Sequence, residues 1–297
     1  MFSLQNSRAF LLLLLVVFAL SSSINSQPIT YNHHVCSDQS NKTANANYKS
    51  NLTVLLDSLS TKASQNYSFY NESSNIGIYG LFLCRGDVSN NTCQRCVSYA
   101  TQEITTRCPS NETAIIWSDE CMLRYSNVSF FGEVQIIPRV LMWNVQNLNR
   151  NSTSPDEPNY GALSLMYGLI DEALQKDVFF RADNKTLSDG SEQRYGLVQC
   201  SRDINRSSCS DCFTQLMDAA DLCCNSKLGW RILAPSCNIR YENYSFFQHP
   251  AVPPPPQPPG KYGSLTLSSF LHLDYFPCGE SSDTHVKKPE ENGRKKR

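Results

Sequence analysis

Apolar residues recur along this chain with two periods, and the alternation between them outlines two similar blocks. In the first, Leu52, Leu55, Leu56 and Leu59 fall at i, i+3, i+4 and i+7, the stripe of an amphipathic helix. The apolar run Ile78-Tyr79-Gly80-Leu81-Phe82-Leu83-Cys84 predicts a strand. A second helix is expected from near a Cys-x2-Cys pair, through Val97–Thr106. Two strands, Ala114–Trp117 and Met122–Tyr125, close the block. The second block repeats this order. Its first helical stripe is Leu163, Met166, Tyr167 and Ile170, continued by Leu174. A helix through Phe213–Leu222 and strands Trp230–Leu233 and Asn238–Tyr241 follow. This mixture predicts an α+β fold, with helices packed on an antiparallel sheet.

The blocks are copies of one unit. Adding 116 to Cys84, Cys93, Cys96, Cys108 and Cys121 gives Cys200, Cys209, Cys212, Cys224 and Cys237. The neighbours move with them: Tyr79-Gly80-Leu81 becomes Tyr195-Gly196-Leu197, Arg124-Tyr125 becomes Arg240-Tyr241, and Phe130-Phe131 becomes Phe246-Phe247. Five cysteines in register without insertion or deletion mark a tandem duplication.

The cysteines also indicate a compartment. Arg8 precedes an apolar run from Ala9 to Leu20, then Ser21–Ser23 and small residues near a cut after Ser26. This is the three-part pattern of a secretory signal over 1–26, and the run is shorter than the roughly 20 residues of a membrane-spanning helix. A retained anchor is the alternative. Eleven Asn-x-Ser/Thr glycosylation acceptors follow, at Asn41, Asn51, Asn66, Asn71, Asn90, Asn111, Asn127, Asn151, Asn184, Asn205 and Asn243. In an oxidising lumen, the 13 cysteines of the 297-residue chain are expected to pair rather than hold zinc. A net charge of -1 provides no field for nucleic acid.

The spacing Cys-x8-Cys-x2-Cys, then x11 and x12 to the next two, resembles the ginkbilobin-homologous domain of plants. This cysteine-rich repeat is carried by secretory repeat proteins, plasmodesmata-located proteins and cysteine-rich receptor-like kinases. The resemblance covers about Pro28 to Phe247. It implies two tandem disulfide-stapled domains over 28–135 and 150–248, each with two helices on an antiparallel sheet of about five strands. It further implies the bridges Cys84–Cys93, Cys96–Cys121 and Cys36–Cys108, then Cys200–Cys209 and Cys212–Cys237, each contributing about 2–4 kcal/mol. At the same offset Ser152 stands for Cys36, so the third bridge has no counterpart in the second copy. Cys223 is extra and adjacent to Cys224, and Cys278 is odd; their pairing is open. A zinc ribbon or a thioredoxin-like centre is the sharper reading of Cys-x2-Cys, and the extra in-register cysteines argue against both.

No catalytic motif is present. The five histidines, His33, His34, His249, His272 and His285, are placed outside the repeated cores, and no carboxylate pair repeats between copies. No cofactor or metal is expected. The resemblance points instead to binding. Ginkbilobin, the antifungal seed protein of this family, is a mannose-binding lectin. It uses an Asn just after the first cysteine, an Arg seven residues after the fifth and a Glu five after the sixth. A sugar's vicinal hydroxyls need fixed donors and acceptors together, and Arg with a carboxylate supplies both. The first copy has Ser37, Ile115 and Ser126 at these places. The second has Arg231 and Glu242, with Asn149 or Asn151 near the third place. The alternative is that Arg231 and Glu242 form an ion pair across adjacent strands.

From 249 to 297 the composition changes to a linker with Pro253–Pro256 and Pro258-Pro259, a polar stretch Gly260–Leu273, and a basic, disordered end at Arg294–Arg297. No second hydrophobic segment follows the signal. The chain is therefore expected to be a secreted, non-enzymatic binding protein of the apoplast, serving stress or defence. Its expected partners are a mannose-type glycan, a cell-wall polysaccharide or related extracellular receptor domains. The ectodomain of a truncated receptor-like kinase is the alternative.

Overall fold

The computed structural model describes residues 28–37, 43–147, 158–186, 192–224 and 227–248. The signal, the tail, Cys278, Ser152, Asn41, Asn149 and Asn151 lie outside the described residues. The first domain runs β1 (Tyr31–Ser37), α1 (Ala46–Ser64), β2 (Phe69–Ser73), β3 (Tyr79–Cys84), α2 (Asn90–Arg107), β4 (Thr113–Ser118) and β5 (Cys121–Ser126). The second runs β6 (Val140–Trp143), α3 (Pro158–Leu174), β7 (Phe180–Thr186), β8 (Gln193–Cys200), α4 (Arg206–Cys224), β9 (Trp230–Leu233) and β10 (Cys237–Glu242). Each domain is one five-stranded antiparallel sheet, in the orders β1-β4-β5-β3-β2 and β6-β9-β10-β8-β7. The architecture is α+β in two disulfide-stapled copies. The second sheet gains its edge strand from Val140–Trp143, upstream of the boundary expected at 150, because that strand pairs with β9.

Helix starts are set by capping side chains rather than by the apolar stripes. Asn45 Oδ1 accepts from the Tyr48 amide at 2.8 Å, and Ser89 Oγ accepts from the Thr92 amide at 3.2 Å. Asn205 Oδ1 does the same for the Ser208 amide at 2.9 Å. Helices α2 and α4 therefore begin at Asn90 and Arg206, ahead of Val97 and Phe213. In α1 the four leucines of the stripe are all buried. In α3 the buried face is Leu165, Met166, Leu169, Ile170 and Ala173, while Tyr167 is 51% exposed. Leu163 and Leu174 pack against this face as well, so the expected stripe is borne out except at Tyr167, whose place Leu165 and Leu169 take.

The repeated Tyr-Gly-Leu has a packing cause. A Cβ on Gly80 would lie 3.1 Å from Leu55 and Leu59, and one on Gly196 would lie 2.6 Å from Leu169. The glycines let each first helix settle onto its sheet. The repeated Arg-Tyr and Phe-Phe are linked as well. Tyr125 and Tyr241 point into the two cores, fully buried. Arg124 and Arg240 point to the opposite face and stack on Phe130 and Phe246, 3.8 Å and 4.0 Å from the ring centres. Burial brings the Arg124 guanidinium down to about 10.

Among the described residues five disulfides lock the helices to the sheets, Cys36–Cys108, Cys84–Cys93, Cys96–Cys121, Cys200–Cys209 and Cys212–Cys237, and a sixth joins the adjacent Cys223 and Cys224 at the end of α4. Each Cys-x2-Cys thus sends its two sulfurs to different strands, which leaves neither a self-bonded redox pair nor a free zinc ligand. His34, Cys36 and Cys108 cluster, but both sulfurs are spent on their bridge. His33 and His34 sit on β1 inside the first sheet, not outside the repeated core. Burial lowers the affinity of both imidazoles for a proton.

The faces turned away from the helices pack on each other. Leu81, Leu83, Ile115, Trp117, Met122 and Phe130 of the first domain form one buried cluster with Leu233 of the second, flanked by Val140 and Met142. Around it the contacts repeat across a pseudo-two-fold axis. The Gly132 amide donates to Asp203 Oδ2 at 3.2 Å, and the equivalent Gln248 amide donates to Asp87 Oδ2 at 2.7 Å. Gly86 lies so close to the Phe180 ring that a Cβ would collide with it, while Arg202, the counterpart of Gly86, reaches Ser68 Oγ at 3.0 Å.

Candidate functional site

The strand register relocates one of the three expected sugar residues. Cys36 pairs with Ala114 and Ser37 with Thr113 in the first sheet. In the second sheet Trp143 pairs with Trp230, the equivalent of Ala114. Trp143 therefore holds the place of Cys36, and the next residue, Asn144, holds the place of Ser37. The Asn144 amide bonds to the Gly229 carbonyl at 2.9 Å, and Gly229 is the equivalent of Thr113. The position just after the missing first cysteine is thus Asn144, not Asn149, Asn151 or a neighbour of Ser152.

Glu242 ends β10, and its side chain lies beside Asn144. A Cβ on Gly229 would collide with Glu242 Oε2 and lie 2.8 Å from Asn144 Nδ2, so the glycine makes room for both polar groups. Glu242 Oε1 accepts from Arg240 Nε at 3.0 Å. Glu242 Oε2 is buried with no hydrogen-bond partner, a costly state for a carboxylate oxygen unless something else satisfies it.

Arg231 and Glu242 do not pair with each other. In register Arg231 faces Arg240, and Glu242 faces Tyr195 on β8. Arg231 instead crosses to the first domain, where Nη1 donates to Asn32 Oδ1 at 2.7 Å and to Asp119 Oδ1. Arg240 Nη1 reaches Asp119 Oδ2 at 3.4 Å, and Arg240 Nη2 donates to Tyr244 Oη at 3.0 Å. The result is a chain of charge across the seam, Asn32–Arg231–Asp119–Arg240–Glu242. Burial by itself would push the Asp119 carboxyl up. The guanidiniums of Arg231 and Arg240, with hydrogen bonds from Arg231 and Asn32, outweigh it and hold the carboxyl below its usual range. Burial, and then the negative charge of Asp119, push the neighbouring Glu120 up. Asp119, Asn32 and Asn144 carry no motif of their own, and Arg240 stands out only as part of the repeated Arg-Tyr pair. The only trace of Asp119 is a difference between copies, Asp119-Glu120 against Pro235-Ser236.

A cleft of about 50 Å³ opens between the domains along this chain, lined by Asn32, Arg85, Ser118, Asp119, Arg231 and Arg240 among others. Ligand pockets measure roughly 300–1,000 Å³, so the cleft has room for ordered water and not for a sugar ring. In the first domain Ile115 is part of the apolar seam and Ser126 bonds to Thr113, so no polar trio forms there. Among the described glycosylation acceptors, Asn66, Asn90, Asn205 and Asn243 are exposed, and Asn51, Asn71, Asn111, Asn127 and Asn184 are half-buried.

Two in-register α+β copies, cross-linked by buried disulfides and joined through the outer faces of their sheets, define a class of cysteine-stapled tandem domain. Among the described residues no helix is long and apolar enough to cross a membrane. The family model for salt stress response/antifungal domains matches twice, over residues 35–128 and 146–244, and the chain belongs to that family. It is 38% identical over 243 residues to an antimicrobial ginkbilobin-2-like protein of Castanea crenata, covering 81% of this chain and 96% of that protein. It is 36% identical over 251 residues to cysteine-rich receptor-like protein kinase 25 of Arabidopsis thaliana, covering 82% of this chain but only 36% of the kinase. The tandem DUF26 ectodomain of the Arabidopsis thaliana cysteine-rich receptor-like protein PDLP8 has the same fold, with a TM-score of 0.62 at 20% identity over 73% of this chain and 99% of that one. The relatives are plant secreted proteins and ectodomains of receptor-like kinases.

Proposed function

We propose that this chain is a secreted, non-catalytic recognition protein of plant extracellular stress and defence responses, and that its second domain binds a mannose-type glycan. The observation that carries the reading is the meeting of Asn144 and Glu242 over Gly229, with Arg231 on the neighbouring strand. An amide, a carboxylate with one unpaired oxygen and a guanidinium together supply the donors and acceptors that a pair of vicinal hydroxyls requires. The first domain offers Ser37, Ile115 and Ser126 at the same places and serves as partner surface. The test is a glycan and cell-wall polysaccharide array on the mature glycosylated chain. Mannose-type ligands should give the signal, and Arg231→Ala or Glu242→Gln should remove it. A mannose signal unchanged by both substitutions sinks the reading.

A second reading is favoured by the kinase relative, of which this chain spans about a third of the length. In it the two domains are the sensing ectodomain of a receptor, and related ectodomains are the partners. A genomic read across the codons for Pro259–Tyr262 separates the two. A splice donor there marks the tail as retained intron and favours the receptor; an uninterrupted frame favours the secreted protein.

A further inference from the structure

We propose that the first domain gates the second domain's glycan site by occupying its arginine: Asp119 and Asn32 hold Arg231 in place of sugar hydroxyls until a ligand displaces them. The proposal rests on the glycan reading of Asn144, Arg231 and Glu242. The two acceptors on Arg231 are an amide oxygen and a carboxylate oxygen, both from the first domain. They occupy the Arg231 Nη1 donors from which the oxygens of a vicinal diol would otherwise accept. The same carboxylate also reaches Arg240, which holds Glu242. One acidic side chain therefore ties down both arginines that serve the site.

The contact is one-sided, whereas part of the seam is two-fold. The amide contacts of Asp87 and Asp203 repeat in both copies. Asp119 does not repeat, since Pro235 stands at its equivalent, and Ile115 stands where Arg231 has its counterpart. The apolar cluster and the paired aspartates also join the domains, so the seam does not rest on Asp119 alone. The Arg231 and Asp119 side chains are 13% and 20% exposed, which places the contact at the rim of the seam, within reach of a ligand from solvent. Glu242 Oε2, in contrast, is fully enclosed. Releasing Arg231 is the step that frees its donors for a ligand.

A site competent in only a fraction of molecules binds with an affinity reduced by that fraction. Removing Asp119 should raise the fraction and tighten binding by about tenfold, the size expected for losing one partly buried charged contact. The test is titration calorimetry of mannotriose against the mature chain, for wild type, Asp119→Ala, Asn32→Ala and Arg231→Ala. If Asp119→Ala does not fold, Asp119→Asn and Asn32→Ala stand in for it. The gate predicts tighter binding for Asp119→Ala, a smaller gain for Asn32→Ala and no binding for Arg231→Ala. Equal or weaker binding by the Asp119 and Asn32 variants, with Arg231→Ala still null, overturns the gate and leaves the glycan reading standing. No binding by wild type or by any variant overturns both.

Discussion

Arg240→Met cuts the buried Arg240–Glu242 pair beside the seam, together with the Arg240 contacts to Asp119 and Tyr244. Arg240 and Glu242 have side chains 9% and 5% exposed, and their contact is 3.0 Å long. Methionine keeps much of the packing on Phe246 but removes the charge, and it leaves the Glu242 carboxylate buried without its partner. Breaking a buried pair from one side costs about 3–5 kcal/mol, most of it the stranded charge rather than the lost bond. The cost should therefore fall when both charges go. The assay is urea unfolding of the mature protein, disulfides intact, for wild type, Arg240→Met, Glu242→Gln and the double variant. Arg240→Met should lose about 4 kcal/mol, and adding Glu242→Gln should return about half of it, a coupling of about 2 kcal/mol plus whatever Glu242→Gln costs alone. An Arg240→Met variant within about 0.5 kcal/mol of wild type refutes the reasoning. So does strict additivity, because Glu242 would then not depend on Arg240.

Three further outcomes follow from the same structure. Replacing Cys36 and Cys108 by serine opens a bridge that spans 72 residues and should cost about 4 kcal/mol, whereas replacing Cys223 and Cys224, separated by 1, should cost under about 1 kcal/mol because no loop is closed; thermal melts of the two double variants compare them directly. Asp119 is held below its usual range when folded, so its stabilisation is complete above the unfolded value near pH 3.9 and is lost as pH falls through the folded value; wild type should lose stability more steeply than Asp119→Asn below about pH 4 in urea titrations, and parallel curves would count against the contact. Gly229→Ala places a methyl against Glu242 Oε2 and Asn144 Nδ2 and should destabilise by about 1–3 kcal/mol, read by the same urea unfolding, with an unchanged midpoint arguing that the two groups are not packed there.

The frame of the fold was legible because it is written twice. Five cysteines at one offset, with Tyr-Gly-Leu and Arg-Tyr moving in step, specify a duplicated unit before any element is assigned. The constant offset then misleads at the start of the second copy. There Trp143 replaces Cys36, and the offset falls from 116 to 107, so counting from the later cysteines arrives at Ser152 and skips the true edge strand. Only strand pairing reveals that Asn144 has the place next to the lost cysteine. The α3 stripe departs only at Tyr167, for a different reason: a helical period fits Tyr167 and Leu165 almost equally, and the tyrosine hydroxyl favours the wet side. Arg231 and Glu242 stood out in the sequence, but their partners did not. Arg231 meets residues 112 and 199 positions away, on a different copy, and no local pattern encodes a contact between domains.

The central claim is that the second copy, and not the first, recognises a mannose-type glycan. The direct test is nuclear magnetic resonance of the isotope-labelled mature protein titrated with mannotriose. The account predicts that shifts concentrate at Asn144, Gly229, Arg231 and Glu242, spread to Asp119 and Asn32 as Arg231 is released, and spare Ser37 and Ser126. Shifts centred on the first domain's Ser37, Thr113 and Ser126, or saturable binding that leaves Asn144 and Glu242 unmoved, would contradict it.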